Sequence, residues 1–229
     1  MSDKVLFIGF EDCEYCTKAE RFLKTCGFDV KTWWTPRKRG VKLPQDIESW
    51  NGKYIFHMKS YCILPKKLIS QASIAAINFH PSSPKYPGSG GISWALYNEE
   101  EKTGITVHFM NEKVDNGTII EAYDVPIYPK DDVRSLIERV HFKQLEAFYD
   151  VVSKIEKLGK SFLDDKNKHS RHTWSDKVGK IKEIDQLETV SFEISKKELD
   201  KIIRATKYDN FGPKVFIHGH KFQFTGDKK

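Results

Sequence analysis

The sequence predicts an α/β fold with a mostly parallel sheet, followed by a short helix and a β-hairpin tail. In the first half, short apolar runs alternate with segments whose apolar residues recur at helical spacing, a pattern typical of parallel strands covered on both faces. A long amphipathic stretch follows, and near the end two alternating runs flank a His-Gly pair. With 229 residues, the chain can bury a single core.

In the first half, the predicted strands are short apolar or β-branched runs, and the predicted helices carry apolar residues three or four positions apart. The strands are placed at 5–10, 28–34, 54–58 and 74–80. Helices are placed between them at 15–25 and 65–71. After a loop rich in Pro, Gly and Ser at 81–91, we expect a short helix at 92–100 and strands at 104–110 and 117–127.

The second half opens with the amphipathic pattern of a long helix at 132–155. A polar, Lys-rich segment at 157–182 breaks this pattern and predicts an irregular excursion. Beyond it we place a strand at 190–194, a helix opened by a capping box of Ser195 and Glu198, and a hairpin that turns at 218–219. These patterns divide the chain into an α/β domain, residues 1–155, and a C-terminal extension, residues 156–229.

The composition is that of a globular protein with a modest positive charge. There are 38 Lys and Arg against 32 Asp and Glu, a net charge of +6, which fits nucleic acid, an anionic membrane surface or a phosphate-bearing small molecule equally well. No apolar run near the start has the length of a signal peptide or of a membrane span, so we expect a cytoplasmic protein. Four cysteines do not make a disulfide scaffold at this length.

A Cys-x-x-Cys pair, Cys13 and Cys16, stands between the first predicted strand and the first predicted helix, as in a glutaredoxin. A helix N-terminus favours a thiolate, so the pair keeps a thiol oxidoreductase open as an alternative function. Against it, Glu11, Asp12 and Glu14 disfavour an anion there, and the pair also fits an ordinary strand-to-helix turn. The histidine pairs at 169–172 and 218–220 lack further ligands, so we expect no metal.

The segment at 77–91 contains the residues with the clearest chemistry. Asn78 and His80 are two positions apart at the end of a predicted strand, so both side chains point to the same side, at the edge where open α/β sheets bind ligands. Asp115, between two later strands, can return to this edge. Such a set suits acyl transfer to an amine: Asn stabilises an oxyanion, His accepts the amine proton and Asp orients the imidazole.

The chain resembles the formyltetrahydrofolate-dependent formyltransferase family in a specific combination of motifs. An Asn-x-His-Pro-Ser motif is followed by Pro-x-Tyr and Gly, by Gly-x-Thr-x-His, and by Asp-x-Gly-x-Ile. These stand here as Asn78, His80, Pro81, Ser82, Pro84, Tyr86, Gly88, Gly104, Thr106, His108, Asp115, Gly117 and Ile119. The resemblance covers most of the chain, and explains 157–182 least.

The resemblance implies a Rossmann-like catalytic domain over residues 1–155, with 10-formyltetrahydrofolate as the formyl donor and no metal. It implies that Asn78, His80 and Asp115 form the catalytic trio. The segment at 55–65 is similar to the folate-pocket strand and loop of the family. The residues expected to contact the folate are Lys59, Tyr61, Ile63, Asn111, Val114 and Asp115.

Among members of the family, the chain looks most like the short nucleotide-sugar N-formyltransferases. The methionyl-tRNA enzymes carry a C-terminal barrel for which 156–229 offers too few residues, and the purine enzymes open with a glycine-rich loop that is absent at 9–16. The Pro87-Gly88 pair and a tail with Arg-Ala and then Phe-Gly-Pro are similar to the short sugar enzymes, whose terminal hairpin dimerises. A methionyl-tRNA or other folate-dependent formyltransferase remains the alternative within the family.

The resemblance then implies a dTDP-linked 4-amino-4,6-dideoxyhexose as acceptor, most simply dTDP-4-amino-4,6-dideoxyglucose, in the synthesis of surface polysaccharide such as O-antigen. We expect a homodimer formed through the hairpin, with neither nucleic acid nor membrane as partner. The residues expected to contact the acceptor are Tyr86, Pro87, Gly88, Trp94 and, at the diphosphate, Arg204.

Overall fold

A mixed sheet forms the centre of the computed structural model, which describes residues 2–226. Its strands are β1 (Lys4–Phe10), β2 (Asp29–Thr35), β3 (Gly52–Met58), β4 (Ala72–His80), β5 (Lys102–Phe109) and β6 (Ile119–Pro126). The spatial order is β2-β1-β3-β4-β5-β6; the first four are parallel to one another, while β5 and β6 continue the sheet in antiparallel pairing. The predicted α/β fold with a mostly parallel sheet is therefore confirmed.

Helices cover both faces of this sheet and fill the C-terminal extension. The helices of the first part are α1 (Glu14–Thr25), α2 (Gln45–Glu48), α3 (Lys66–Ile69), α4 (Gly91–Tyr97) and α5 (Val133–Leu158). Beyond them come α6 (Lys160–Lys168), α7 (Ile181–Glu188) and α8 (Lys196–Thr206), and then a hairpin of β7 (Lys214–Ile217) and β8 (His220–Gln223). No helix in residues 2–226 is long and apolar enough to span a bilayer.

The long helix α5 packs on the sheet through Phe148, which is fully buried. Its ring lies 4.8 Å from that of Phe79 and 5.8 Å from those of Phe7 and Phe56, centroid to centroid. One turn away, the buried Gln144 donates a hydrogen bond to the carbonyl of Phe79. Because Phe79 stands between Asn78 and His80, α5 supports the part of β4 that carries these two residues.

Two predictions about the C-terminal extension were wrong. The segment at 157–182 is not wholly irregular, because α6 buries Phe162 and Leu163 against the core. Lys160 and Lys168 of this helix face solvent, and Lys166 pairs with Glu121 at 2.8 Å. Residues 190–194 do not form a strand. Apolar character alone suggested one, but the pairing there is limited to a bridge between Thr189 and Lys214.

The helix predicted to open at Ser195 is confirmed as α8, with the Ser195 hydroxyl accepting a hydrogen bond from the N–H of Glu198. The reciprocal half of the predicted capping box is not formed. Instead the Glu198 carboxylate accepts a hydrogen bond from the Tyr97 hydroxyl, which ties α8 to α4. The hairpin is also where it was predicted, with His218 and Gly219 in its turn.

Candidate active site

Strand register places three polar side chains in one row across the sheet. On β4, Asn78 is paired with His57 of β3 on one side and with His108 of β5 on the other. His80, two residues further along β4, lies on the same face as Asn78. The juxtaposition of Asn78 and His80 follows the prediction, whereas His57 and His108 were not among the predicted site residues.

Hydrogen bonds hold the Asn78 amide in a single orientation. Nδ1 of His57 lies 2.9 Å from the amide oxygen, which can only accept, so this imidazole nitrogen is the donor. The amide nitrogen then faces Nε2 of His108 at 3.1 Å and Oδ1 of Asp115 at 3.2 Å. Both N–H groups of Asn78 therefore point towards His108 and the loop that follows β5, and an oxyanion bound there would replace one of these two acceptors.

Asp115 joins the parts of the site through both carboxylate oxygens. Oδ2 lies 3.2 Å from Nδ1 of His80 and accepts a hydrogen bond from the Gly88 N–H at 2.8 Å. Oδ1 is 3.2 Å from Nε2 of His108 and accepts from Asn78. The backbone of Asp115 has a φ of 41°, which is strained for a residue with a side chain. These contacts hold the residue in that conformation.

The electrostatics of the site favour a charged Asp115 and a neutral His80. Burial by itself would raise the pKa of Asp115, but the imidazoles of His80 and His108 and the Gly88 N–H together hold that pKa well below its usual range. Burial lowers the pKa of His80 below its ordinary value of 6.5, opposed by the charge of Asp115. The Tyr86 carbonyl lies 3.0 Å from Nε2 of His80 and can only accept, so Nε2 carries a proton here and donates to it, while Nδ1 faces Oδ2 of Asp115 at 3.2 Å.

Asn78, His80, His108 and Asp115 form a polar cluster. A segment of the C-terminal extension, residues 169–180, crosses over this cluster, and we call it the strap. Nε1 of its Trp174 donates to the carbonyl of Gly117 at 2.8 Å. The indole edge-packs on His108, with ring centroids 5.0 Å apart, and on His80 at 5.8 Å. Trp174 was not among the predicted site residues, because the strap is polar and aperiodic; a tryptophan inside a Lys-rich stretch was the available signal.

Gly88 is bound on two sides, which explains why glycine stands there. Its φ is +87°, and a Cβ would overlap the carbonyl oxygen of Gly179 in the strap, with which Gly88 forms a bridge. Its N–H is the donor to Asp115. The acceptor contact predicted for Gly88 stays a prediction; the contacts seen here link the strap to the Asp115 carboxylate.

A pocket of about 250 Å³ opens beside the cluster, lined by Lys85, Tyr86, Pro87, Ser89, Trp94, Asn98, Lys177, Gly179 and Glu183. It brings together three of the residues predicted to contact an acceptor: Tyr86, Pro87 and Trp94. The Tyr86 hydroxyl is turned to Glu100, to which it donates at 2.7 Å, and burial together with this partner raises the pKa of Tyr86 to about 12.

Arg204 is not brought to this site. It lies on α8, where its guanidinium donates to the carbonyls of Asp131 and Tyr128, and it lines a different surface pocket with Glu99 and Lys201. Its predicted contact with the diphosphate of an acceptor stays a prediction, which this placement on α8 does not support. Helical sequence alone could not show that α8 packs against α4 and α5, away from the ends of the parallel strands.

The residues predicted to contact a folate lie on two loops at the same edge. After β3, Lys59, Tyr61 and Ile63 occupy a loop without regular structure, and Tyr61 and Ile63 are 46% and 74% exposed. After β5, Asn111 and Val114 precede Asp115, with Val114 42% exposed. Exposed apolar side chains on both loops suit a flat aromatic ligand.

Cys13, the N-cap of α1, and Cys16, in its first turn, both belong to the hydrophobic core, with 4% and 0% of their surface exposed. A hydrogen bond with the Cys16 thiol lowers the pKa of Cys13 to about 5. The same contact, together with burial, raises the pKa of Cys16. Their burial favours the strand-to-helix turn over an exposed redox site. Within residues 2–226, no group of three or more His, Cys, Asp or Glu side chains is placed to hold a metal ion.

Comparisons with known proteins agree with this geometry. The profile of a family described as formyl transferase matches residues 15–152. A methionyl-tRNA formyltransferase of Limosilactobacillus fermentum is 30% identical over 145 residues, which are 63% of this chain and 44% of that protein. The chain thus spans less than half the length of curated relatives that it matches.

Solved structures share the fold over nearly the whole chain. A sugar N-formyltransferase from Shewanella sp FDAARGOS_354 superimposes with a TM-score of 0.74 at 17% identity, covering 99% of this chain and 98% of that one. An N-formyltransferase from Helicobacter canadensis, solved with folinic acid and dTDP-3-aminofucose, gives a TM-score of 0.67 at 15% identity over 90% and 80% of the two chains.

Proposed function

Because this chain belongs to the formyl transferase family, we propose that it transfers the formyl group of 10-formyltetrahydrofolate to the amine of a nucleotide-linked amino sugar. The observation that carries the proposal is the arrangement of Asn78, His80 and Asp115 at one edge of the sheet, where Asn78 and His80 each place a polar atom 3.2 Å from a carboxylate oxygen of Asp115. This arrangement supplies an oxyanion donor, a base and a carboxylate that orients the base.

In this mechanism, the amine nitrogen attacks the formyl carbon and a C–N bond forms. The negative charge on the formyl oxygen is stabilised by the amide N–H of Asn78, which His57 holds in place. For His80 to act as the base, its proton lies on Nδ1, towards Asp115, and the Nε2 lone pair faces the amine in place of the Nε2–H bond to the Tyr86 carbonyl. Nε2 then accepts the proton of the amine, and Asp115 stabilises the imidazolium. Collapse breaks the bond from the formyl carbon to N10 of the folate, and His80 returns the proton to N10.

Main-chain groups support the assignment of the folate site. Among the described residues, the loop at 59–64 and the turn at 111–115 form no backbone–backbone hydrogen bonds, and only the N–H groups of Cys62 and Lys113 there donate to side chains, those of Ser60 and Asn111. Buried backbone donors and acceptors are almost always paired, so a ligand that covers these loops must offer matching groups. The pterin ring has both donors and acceptors along its edge, and Tyr61, Ile63 and Val114 offer the apolar contact.

Positive charge at the same edge supports an acceptor that carries phosphate. The Arg37 guanidinium lies 5.1 Å above the Phe10 ring, and that of Arg39 lies 5.0 Å above the Tyr61 ring, centroid to cation. Burial lowers the pKa of Lys59 to about 8, and the charge of Arg37 acts in the same direction. In residues 2–226, none of these three cations is paired with a carboxylate. A diphosphate would neutralise them, in place of the predicted Arg204.

For the acceptor we propose a dTDP-linked 4-amino-4,6-dideoxyhexose, with dTDP-4-amino-4,6-dideoxyglucose first, for surface polysaccharide such as O-antigen. The pocket that includes Tyr86, Pro87 and Trp94 is suited to hold a sugar beside Nε2 of His80. The sugar N-formyltransferase fold shared over nearly full length supports this class. The curated relatives support a second candidate, initiator methionyl-tRNA.

We further propose that two copies associate through the hairpin, whose exposed side chains include Phe216 and Phe222, with Phe211 nearby. Residues 1–155 would form the catalytic domain and residues 156–229 the dimerising extension. The extension also contributes to the site, since the strap belongs to it.

The test is a panel assay with the purified protein and 10-formyltetrahydrofolate. Acceptors are dTDP- and UDP-linked 3-amino and 4-amino sugars and initiator methionyl-tRNA, with release of tetrahydrofolate and product mass as readouts. We expect the dTDP-linked 4-amino sugar to gain one formyl group. Formylation of methionyl-tRNA alone would favour the second candidate, and absence of any formylated product would refute formyl transfer.

A further inference from the structure

We propose that Trp174 of the strap is a positioning residue that shields His80 and His108 from solvent, so that the formyl group passes to the amine and not to water. The inference rests on the proposed function for its chemistry and on the structure alone for its geometry. Trp174 has no place in the catalytic trio, and it belongs to a segment that the sequence motifs do not cover.

The strap is attached to the loop that carries the site. Two hydrogen bonds flank Trp174 on its C-terminal side, from the Ser175 N–H to the Pro84 carbonyl at 3.0 Å and from the Ser175 hydroxyl to the Lys85 carbonyl at 2.7 Å. Further along, Gly179 and the loop exchange two backbone hydrogen bonds, with Pro87 at 2.8 Å and with Ser89 at 2.9 Å. The strap is thereby held over the active-site loop.

The indole itself is fixed from three sides. Its N–H donates to Gly117 at 2.8 Å, two residues after Asp115, and its ring packs on His108 and His80. Only 6% of His80 and 2% of His108 is exposed. Since the strap lies across the outer side of both imidazoles, Trp174 is the side chain whose removal opens the pair to water.

Water is a competing nucleophile in this chemistry. The Nε2 lone pair of His80 that accepts a proton from an amine can equally accept one from water. A water oxygen would then bond to the formyl carbon, the bond to N10 would break, and the proton would pass to N10, giving formate and tetrahydrofolate. Excluding water from the site suppresses this reaction, and a bulky side chain packed over the base excludes water.

The first experiment measures how the formyl group is partitioned. With an acceptor found in the panel assay, formate and formylated product are quantified for wild type, Trp174→Ala, Trp174→Phe and the control Phe192→Ala, an exposed aromatic of the same extension. We expect the ratio of formate to product to rise at least tenfold in Trp174→Ala, to rise less in Trp174→Phe, and to stay unchanged in the control. An unchanged ratio in Trp174→Ala overturns the proposal.

The second experiment needs no activity and so separates this proposal from the function. Ligand-free protein is treated with diethyl pyrocarbonate, which acylates accessible imidazoles, and each histidine is followed by mass spectrometry. The exposed His218 and His220 serve as references. We expect His80 and His108 to react at least fivefold faster in Trp174→Ala, with His57 unchanged. If His80 and His108 react at the same rate in wild type and in Trp174→Ala, Trp174 does not shield them and the proposal is refuted. If they react faster in Trp174→Ala but wild type shows no formyl transfer in the panel assay, only the proposed function is refuted.

Discussion

At the scale of single residues, His80 is the group on which the proposed chemistry depends most. Replacing it, His80→Asn, removes the base while retaining a polar side chain of similar reach. We expect kcat to fall by about 10²–10⁴, the usual contribution of a general base. The Kd of dTDP, measured by calorimetry, should change little because the substitution leaves Arg37, Arg39 and Lys59 unchanged. Turnover equal to that of wild type would remove His80 from the mechanism.

The pH profile tests the partnership of His80 with Asp115. The base is active when neutral, and burial lowers the pKa of His80 below 6.5, so kcat/KM should stay flat through pH 6.5 and fall only at more acidic pH. The charge of Asp115 raises that pKa, and the neighbouring His108 lowers it. In Asp115→Asn, residual activity should therefore extend to lower pH than in wild type. If the acidic limb of the profile moves to higher pH in Asp115→Asn, the pairing of His80 with Asp115 is contradicted.

At the scale of elements, the contact of α5 with the sheet supports both stability and the position of β4. Phe148→Ala removes a fully buried ring that packs on three strands, and we expect it to lower the free energy of unfolding by about 3–5 kcal/mol. The matched control is Phe142→Ala on the same helix, where the side chain is 57% exposed.

Urea denaturation followed by circular dichroism measures both variants. The control should change the free energy of unfolding by less than about 0.5 kcal/mol, as is usual for surface positions. Equal losses in the two variants would mean that the α5 interface with the sheet does not determine stability in the way the packing indicates.

At the scale of the whole molecule, part of the positive charge behind the net value of +6 lies at one edge of the sheet. Arg37, Arg39 and Lys59 gather at the edge of the sheet that carries the site, without carboxylate partners among the described residues. Arg37→Glu should therefore raise the KM of a diphosphate-linked acceptor by about 10- to 100-fold, the value of a charge-assisted hydrogen bond. The KM of wild type should also rise with salt, since screening shortens the reach of such charges.

The control for this charge reversal is Lys157→Glu, an exposed lysine near the C-terminal end of α5. It makes the same change in net charge, so an effect of total charge would appear in both variants. Steady-state kinetics at two salt concentrations distinguishes them. A KM that rises equally in both variants would show that the Arg37 edge has no specific role.

Much of the fold could be predicted from periodicity. The alternation of apolar runs and amphipathic segments located all strands of the central sheet, and helices α1, α4, α5 and α8, to within a few residues. It did so because an element that is buried on one or both faces has apolar residues at a characteristic spacing. It failed where burial is partial: α2 is four residues long, and α6 carries an apolar pair within a lysine-rich stretch.

The chemical types and spacing of the site residues follow from the sequence: Asn78 and His80 lie on one side of a strand, and Asp115 lies on a later loop that can reach them. The surroundings of these residues depend on the packing of the whole chain. His57 and His108 join the site through strand register, Trp174 reaches it through a strap from the extension, and Arg204 is kept away by the packing of α8. The reason is that local spacing sets which face a side chain occupies, whereas contacts between segments distant in the chain depend on how the elements pack.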